Sequence, residues 1–106
     1  QYRNYHTCFK EVNSMFAIKG NLCGDRIRLG RAMHKPPLTQ EKLAQKIQFL
    51  GMTDMTTNII SKIESNDRHV IDAELLMISK ALGVTMEWLV GESNEPYSKS
   101  SIFKND

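Results

Sequence analysis

The sequence predicts an all-α fold, five short helices in one domain. Three observations carry this. Apolar residues recur at helical spacing in successive stretches between residues 22 and 91. Each stretch begins beside a residue that caps helices: Asn21, Thr39, Thr56 or Thr57, Asp72 and Thr85. Proline, glycine or a polar loop ends each one, and no strand longer than a few residues, internal repeat or low-complexity block interrupts them. A chain of 106 residues holds one such domain but not two.

Residues 1–20 read as an N-terminal arm. Tyr2, Tyr5, Phe9, Val12 and Phe16 have approximate helical spacing, and a short helix, a strand or an extended arm all fit it. Aromatics at this density argue for packing, on the core or on a second copy. Helix 1 is predicted over about residues 22–34, capped by Asn21, with Leu22, Ile27, Leu29 and Met33 as apolar positions and Arg26, Arg28 and Arg31 between them. Gly24 and Gly30 should weaken it, each by about 1 kcal/mol relative to Ala. Pro36-Pro37 stops it, because proline lacks an N–H and restricts the residue before it.

Helix 2 is predicted from the cap Thr39 to about residue 50, before Gly51, with Leu43, Ala44 and Ile47 on one face and Gln40 on another. Helix 3 covers about residues 56–65, with a thin apolar stripe (Ile59, Ile60, Ile63) and an outward polar set (Thr57, Asn58, Ser61, Lys62). A polar loop follows over residues 65–69. Helix 4 starts at the cap Asp72, has a broad apolar face (Leu75, Leu76, Ile78, Ala81, Leu82) and ends at Gly83. Helix 5 runs from the cap Thr85 to Gly91 through Met86, Trp88, Leu89 and Val90. The domain therefore spans residues 21–91. Residues 92–106, with Pro96 and Ser98-Lys-Ser-Ser101, read as a mobile C-terminal tail, in which Tyr97, Ile102 and Phe103 could dock. Leu43, Ala44, Ile47, Ile60, Ile63, Leu75, Ile78 and Leu82 are the expected core.

Hydrophobic residues at 41% and charged residues at 25% suit a soluble globular protein. No apolar run approaches the roughly 18 residues needed to span a bilayer. The N-terminal segment has no apolar signal-peptide core, so a cytoplasmic location is expected. The chain does not start with Met, which leaves Met15 as either an alternative start or an internal residue. Residues 1–50 carry 9 Lys/Arg and 3 Asp/Glu (9 − 3 = +6), and residues 51–106 carry 5 and 9 (5 − 9 = −4). One half can face phosphate while the other is acidic. Cys8 and Cys23 lack CxxC spacing and a histidine companion, so two free thiols and no metal site are expected. His6, His34 and His69 are scattered over surface or linker positions. There is no phosphate-binding Gly-Lys loop, no HExxH and no coherent nucleophile–base set, so neither an enzyme nor a cofactor is expected.

The small Ala44 lets helix 3 cross helix 2 closely. A short polar-faced helix carried in this way is the device that enters a DNA major groove. In Thr39-Gln-Glu-Lys-Leu-Ala-Gln-Lys-Ile47 and Asn58-Ile-Ile-Ser-Lys-Ile-Glu64 the chain resembles the phage-repressor-like (Cro/Xre-type) helix-turn-helix family. The resemblance runs from about residue 22 to residue 91, and Ile60-Ser-Lys-Ile-Glu64 is its most specific part.

The resemblance implies a five-helix repressor-like domain acting as a sequence-specific regulator on double-stranded DNA, most simply a homodimeric repressor of phage or prophage type. It implies that Gln40 binds a backbone phosphate and that Thr57, Asn58 and Lys62, with Ser61 beside them, read bases. The chemistry fits: Asn pairs with adenine N6/N7, Lys with guanine O6/N7, and a Thr methyl touches thymine. It implies an Arg31–Glu64 ion pair locking the recognition helix to the scaffold. It places Trp88 in the core or at a dimer interface, where Leu89 and Val90 would join it. Arg68, and more weakly Lys35 and Lys46, are further candidate phosphate contacts. An antitoxin-like module, with a protein partner and secondary DNA binding, is the alternative.

The chain departs from the family twice. Pro36-Pro37 lengthens the first connection. Gln40 and Glu64 are 64 − 40 = 24 positions apart, several more than usual. The extra material is about residues 48–55, with Gln48 where the turn Gly normally stands. An extended helix 2 and a longer loop are expected, which leaves the angle of helix 3 open.

Overall fold

Local capping chemistry sets where most of the helices begin. The computed structural model describes residues 20–98; the arm before Gly20, with Cys8, Tyr2, Tyr5, Phe9 and Phe16, lies outside the described residues, as do Ile102 and Phe103. The helices are α1 (Gly24–Met33), α2 (Gln40–Phe49), α3 (Thr57–Glu64), α4 (Asp72–Leu82) and α5 (Met86–Leu89), with no strand among the described residues. The fold is all-α. None of these helices is long and apolar enough to cross a membrane.

Three threonines cap as expected. Their Oγ1 atoms accept from the backbone N–H three residues on: Thr39 from Lys42 at 3.0 Å, Thr56 from Ile59 at 3.2 Å and Thr85 from Trp88 at 3.1 Å. Each such cap contributes about 1 kcal/mol. Two helix starts differ from expectation. Asn21 Oδ1 accepts from the N–H groups of Cys23 and Gly24 at 2.9 and 2.8 Å. This makes a turn of residues 21–23 and starts α1 at Gly24. Asp72 is the first helical residue rather than the cap, because the Glu74 carboxylate reaches back to the Ile71 N–H at 3.1 Å and Ile71 takes the extended cap conformation. The end of α4 is as expected. Gly83, at φ 74°, turns left-handed, so its own N–H and that of Val84 both return to the Ser79 carbonyl.

The core draws one stripe from every helix. Ile27, Leu43, Ile47, Ile60, Ile63, Ile78 and Leu89 are fully buried. α1 packs on α3, α4 and α5; α2 packs on α3 and α4; α4 packs on α5. Leu75 only borders the core, and Leu76 is exposed. Cys23 is a free, buried thiol, and burial pushes its pKa up to about 11, so it stays protonated and unreactive at neutral pH.

Ala44 is 2% exposed. Ala44→Leu is expected to overpack the core and lower stability by about 1–3 kcal/mol. A thermal melt reads this directly, and an unchanged Tm would show that the site has room.

As expected, α2 runs on through Gln48, the position of the family's turn glycine, and a long loop then leads to α3. α2 ends at Phe49. The Gln48 side-chain amide donates to the Met55 carbonyl, and Met55 is 2% exposed. The residue in the turn-glycine position therefore fastens the far end of the loop, while a buried Met anchors it.

Residues 92–98, expected to be the start of a mobile tail, are held. The Thr85 N–H donates to the Pro96 carbonyl at 2.9 Å, and the Arg26 guanidinium donates to the Ser93 carbonyl at 3.2 Å.

Candidate nucleic-acid interface

Thr57, Asn58, Ser61 and Lys62 are all exposed on α3, while Ile60, Ile63 and Glu64 turn inward. Their spacing puts the four in one stripe along the helix. None of the four side chains is engaged by another described residue. The stripe is a free row of donors, acceptors and a methyl group.

The same helix is clamped from below. Glu64 is 4% exposed. Its carboxylate accepts a two-pronged contact from Arg31 on α1, at 2.6 Å from Nε and 2.8 Å from Nη2. Gln40 at the start of α2 donates to the same carboxylate at 3.0 Å, and Arg28 Nε lies 3.7 Å away. Arg31 also donates from Nη1 to the Leu38 carbonyl at 3.0 Å, drawing in the Pro36-Pro37 loop. One carboxylate thus ties together three helices and a loop. The hydrogen bond with Glu64, followed by its charge, outweighs burial and holds the Arg31 guanidinium above its ordinary pKa. Charge-assisted forks of this kind are short and directional.

A second clamp holds the C-terminal end of α3. The last carbonyls of a helix lack intrahelical partners. Asn21 Nδ2 donates to the Ile63 carbonyl at 3.0 Å and to the Arg68 carbonyl at 2.9 Å. The Arg28 guanidinium donates to the Glu64 carbonyl at 3.2 Å. Asn66 Oδ1 accepts from the Asn21 N–H at 2.8 Å. The aim of the stripe is therefore set by α1 and Asn21 as well as by the loop that precedes it.

The remaining expected residues are placed less uniformly. Gln40 is half-buried and turned toward Glu64. Its amide has two hydrogens, so one is left for a phosphate. Lys35 is exposed on the proline loop. Arg68 does not present a free guanidinium. It forks onto Glu74 at 2.8 and 3.0 Å, because the start of α4 brings that carboxylate alongside. The Arg68 hydrogen bond, ahead of its charge, holds the Glu74 carboxyl below the usual carboxylate range. Arg68 therefore braces the loop against α4. Lys46 is exposed, but it lies where α2 meets Lys80 of α4, away from the Gln40 and Gln48 edge that meets α3.

Trp88, expected in the core or at an interface between copies, and Leu89, expected beside it at the interface, are 4% and 0% exposed. The chain's own core occupies them, and the Arg26 guanidinium lies 4.7 Å from the centroid of the Trp88 ring. Of the three expected interface residues, only Val90 keeps partial exposure.

Sequence reasoning missed the clamp made by Asn21 and Arg28. Asn21 reads as a cap, and its other partners lie 42 to 47 residues away, where no local signal points to them. The Gln48 contact had a trace, since a polar residue replaces the expected glycine. A family model described as Helix-turn-helix matches residues 38–89. No curated protein and no solved structure matches the chain.

Proposed function

The chain belongs, through residues 38–89, to the Cro/Xre-type helix-turn-helix family of DNA-binding transcription regulators, and from that premise we propose that it is a sequence-specific repressor of phage or prophage type. The observation that carries this reading is a row of unengaged polar side chains on a helix whose other face is clamped by a buried carboxylate. A rigid helix with a free polar edge suits base recognition, because ordering costs are met before DNA arrives. Asn58 and Lys62 are the principal readers, with adenine and guanine as their partners; Thr57 and Ser61 flank them. Gln40 and Lys35 take backbone phosphates.

Site selection followed by binding titrations tests the assignment. Asn58→Ala and Lys62→Ala are each expected to lose about 1–3 kcal/mol of preference for the selected site. Gln40→Ala should weaken all duplexes to a similar degree, because phosphate contacts carry little sequence information. If Lys62→Ala keeps the full preference, the base-reading set lies elsewhere.

A single short helix discriminates poorly among the competing sites of a genome. The reading therefore includes a symmetric homodimer on a partly palindromic site, with half-sites about 34–36 Å apart. Burial of Trp88 and Leu89 moves the contact on α5 to Met86, 42% exposed, and to Val90 one turn later. Met86→Glu is expected to weaken the dimer while leaving the fold intact. Light scattering of the protein alone and on its site checks it. A strict monomer that binds one half-site with full affinity would rule the dimer out.

A further inference from the structure

Away from the reading face, α2 and the C-terminal end of α4 enclose a groove of about 490 Å³. Its apolar lining is Leu38, Phe49, Leu50 and Ala81, and Lys42, Lys46 and Lys80 line it too, with Gln45. Phe49 is 91% exposed, more than any other large apolar side chain among the described residues. No carboxylate lines the groove, and none of the three lysines takes part in an ion pair among the described residues. Exposed apolar surface rimmed by polar groups marks interaction sites.

We propose that this groove docks an acidic, amphipathic segment of another protein, with one or two large apolar side chains on Phe49 and Leu50 and its carboxylates on Lys42, Lys46 and Lys80. The chemistry selects this occupant. Three unpaired ammonium groups call for negative charge, and complementary potentials steer and orient a partner. Phosphodiester backbone would satisfy the lysines and leave the apolar side chains uncovered. A symmetric contact with a second copy would face the lysines of one copy toward those of the other, since a two-fold interface uses the same patch twice. An amphipathic segment meets both needs, because its anchors recur one turn apart on a single face.

The groove lies on the side of α2 that meets α4, whereas Gln40 and Gln48 hold the side that meets α3. Partner and DNA therefore use different faces, and the inference stands independently of which duplex the chain binds.

A random peptide display library selected on the full chain tests this. The retained peptides are synthesised with a fluorescent label and titrated with wild type, Phe49→Ala, Lys80→Glu and Lys62→Ala. Phe49 and Lys80 are exposed, so their variants are expected to fold, and a thermal melt of each is the check. The selected pool is expected to be enriched in Asp and Glu around Leu, Phe or Trp. Phe49→Ala and Lys80→Glu should each weaken binding about tenfold or more, and Lys62→Ala should leave it unchanged. The selected peptide should also stay bound when a random-sequence duplex is added. The proposal is overturned by a pool without acidic enrichment or by binding that ignores both groove variants. Displacement by the duplex would make the groove a nucleic-acid surface. Self-association abolished by Phe49→Ala would make it an interface between copies. Loss of duplex binding in Lys62→Ala, measured in parallel, reports on the reading face alone.

Discussion

Glu64→Ala is expected to cost about 3–5 kcal/mol of stability, the range found when one partner of a buried ion pair is removed. The side chain of Arg31 is only 17% exposed, so without the carboxylate its charge stays largely out of water. Gln40 loses its acceptor at the same time. Against a total stability of about 5–15 kcal/mol, such a loss leaves many domains partly unfolded. Urea titration is the measurement, with a lower midpoint and an unchanged slope as the expected signature. Arg31→Met combined with Glu64→Leu should recover much of the loss, because replacing a buried pair by well-packed apolar residues is often neutral. A cost under about 1 kcal/mol for Glu64→Ala would instead mark the pair as one that water screens.

Gly24→Ala is expected to destabilise the protein, although helix propensity alone favours Ala by about 1 kcal/mol. A Cβ on Gly24 would lie 2.6 Å from the Ile63 carbonyl oxygen and 3.0 Å from that of Glu64. Both are backbone atoms at the end of α3, so relief requires that helix to move. Overpacking of this kind costs about 1–3 kcal/mol. Unlike a simple core defect, it should also reduce affinity for the selected DNA site in protein that remains folded. The contrast is Gly30, where the nearest atom to an added Cβ is the end of the Leu82 side chain, at 3.0 Å. Gly30→Ala should be tolerated better. A more stable Gly24→Ala variant would show that α1 and α3 can separate without loss.

Helix existence was legible because its causes are local. Threonine caps act over three residues, and apolar spacing repeats within two turns. The pairing of Arg31 with Glu64 came from family resemblance and not from spacing, since the two lie 33 positions apart. What stayed hidden depends on distant partners. Asn21 carries a cap signal but also holds the end of α3. Gly24 looked like a weak point in α1, whereas it is where two backbones meet. Arg68 looked like a free cation because nothing local marks Glu74, six residues on, as its partner. Whether Trp88 faced its own core or a partner stayed open, because a short helix gives little sign of which side its own domain covers.

The loop between α2 and α3 is tethered at both ends and at Met52, which packs against the core and bonds to Ile47 and Met55 through its backbone. Gln48 and Met55 fasten its base, while Gly51, Thr53 and Asp54 stand in solvent. Because α3 is also held by Glu64 and Asn21, the span around Thr53 bears little of the burden of orientation. Residues inserted beside Thr53 are therefore expected to leave the heading of α3 unchanged.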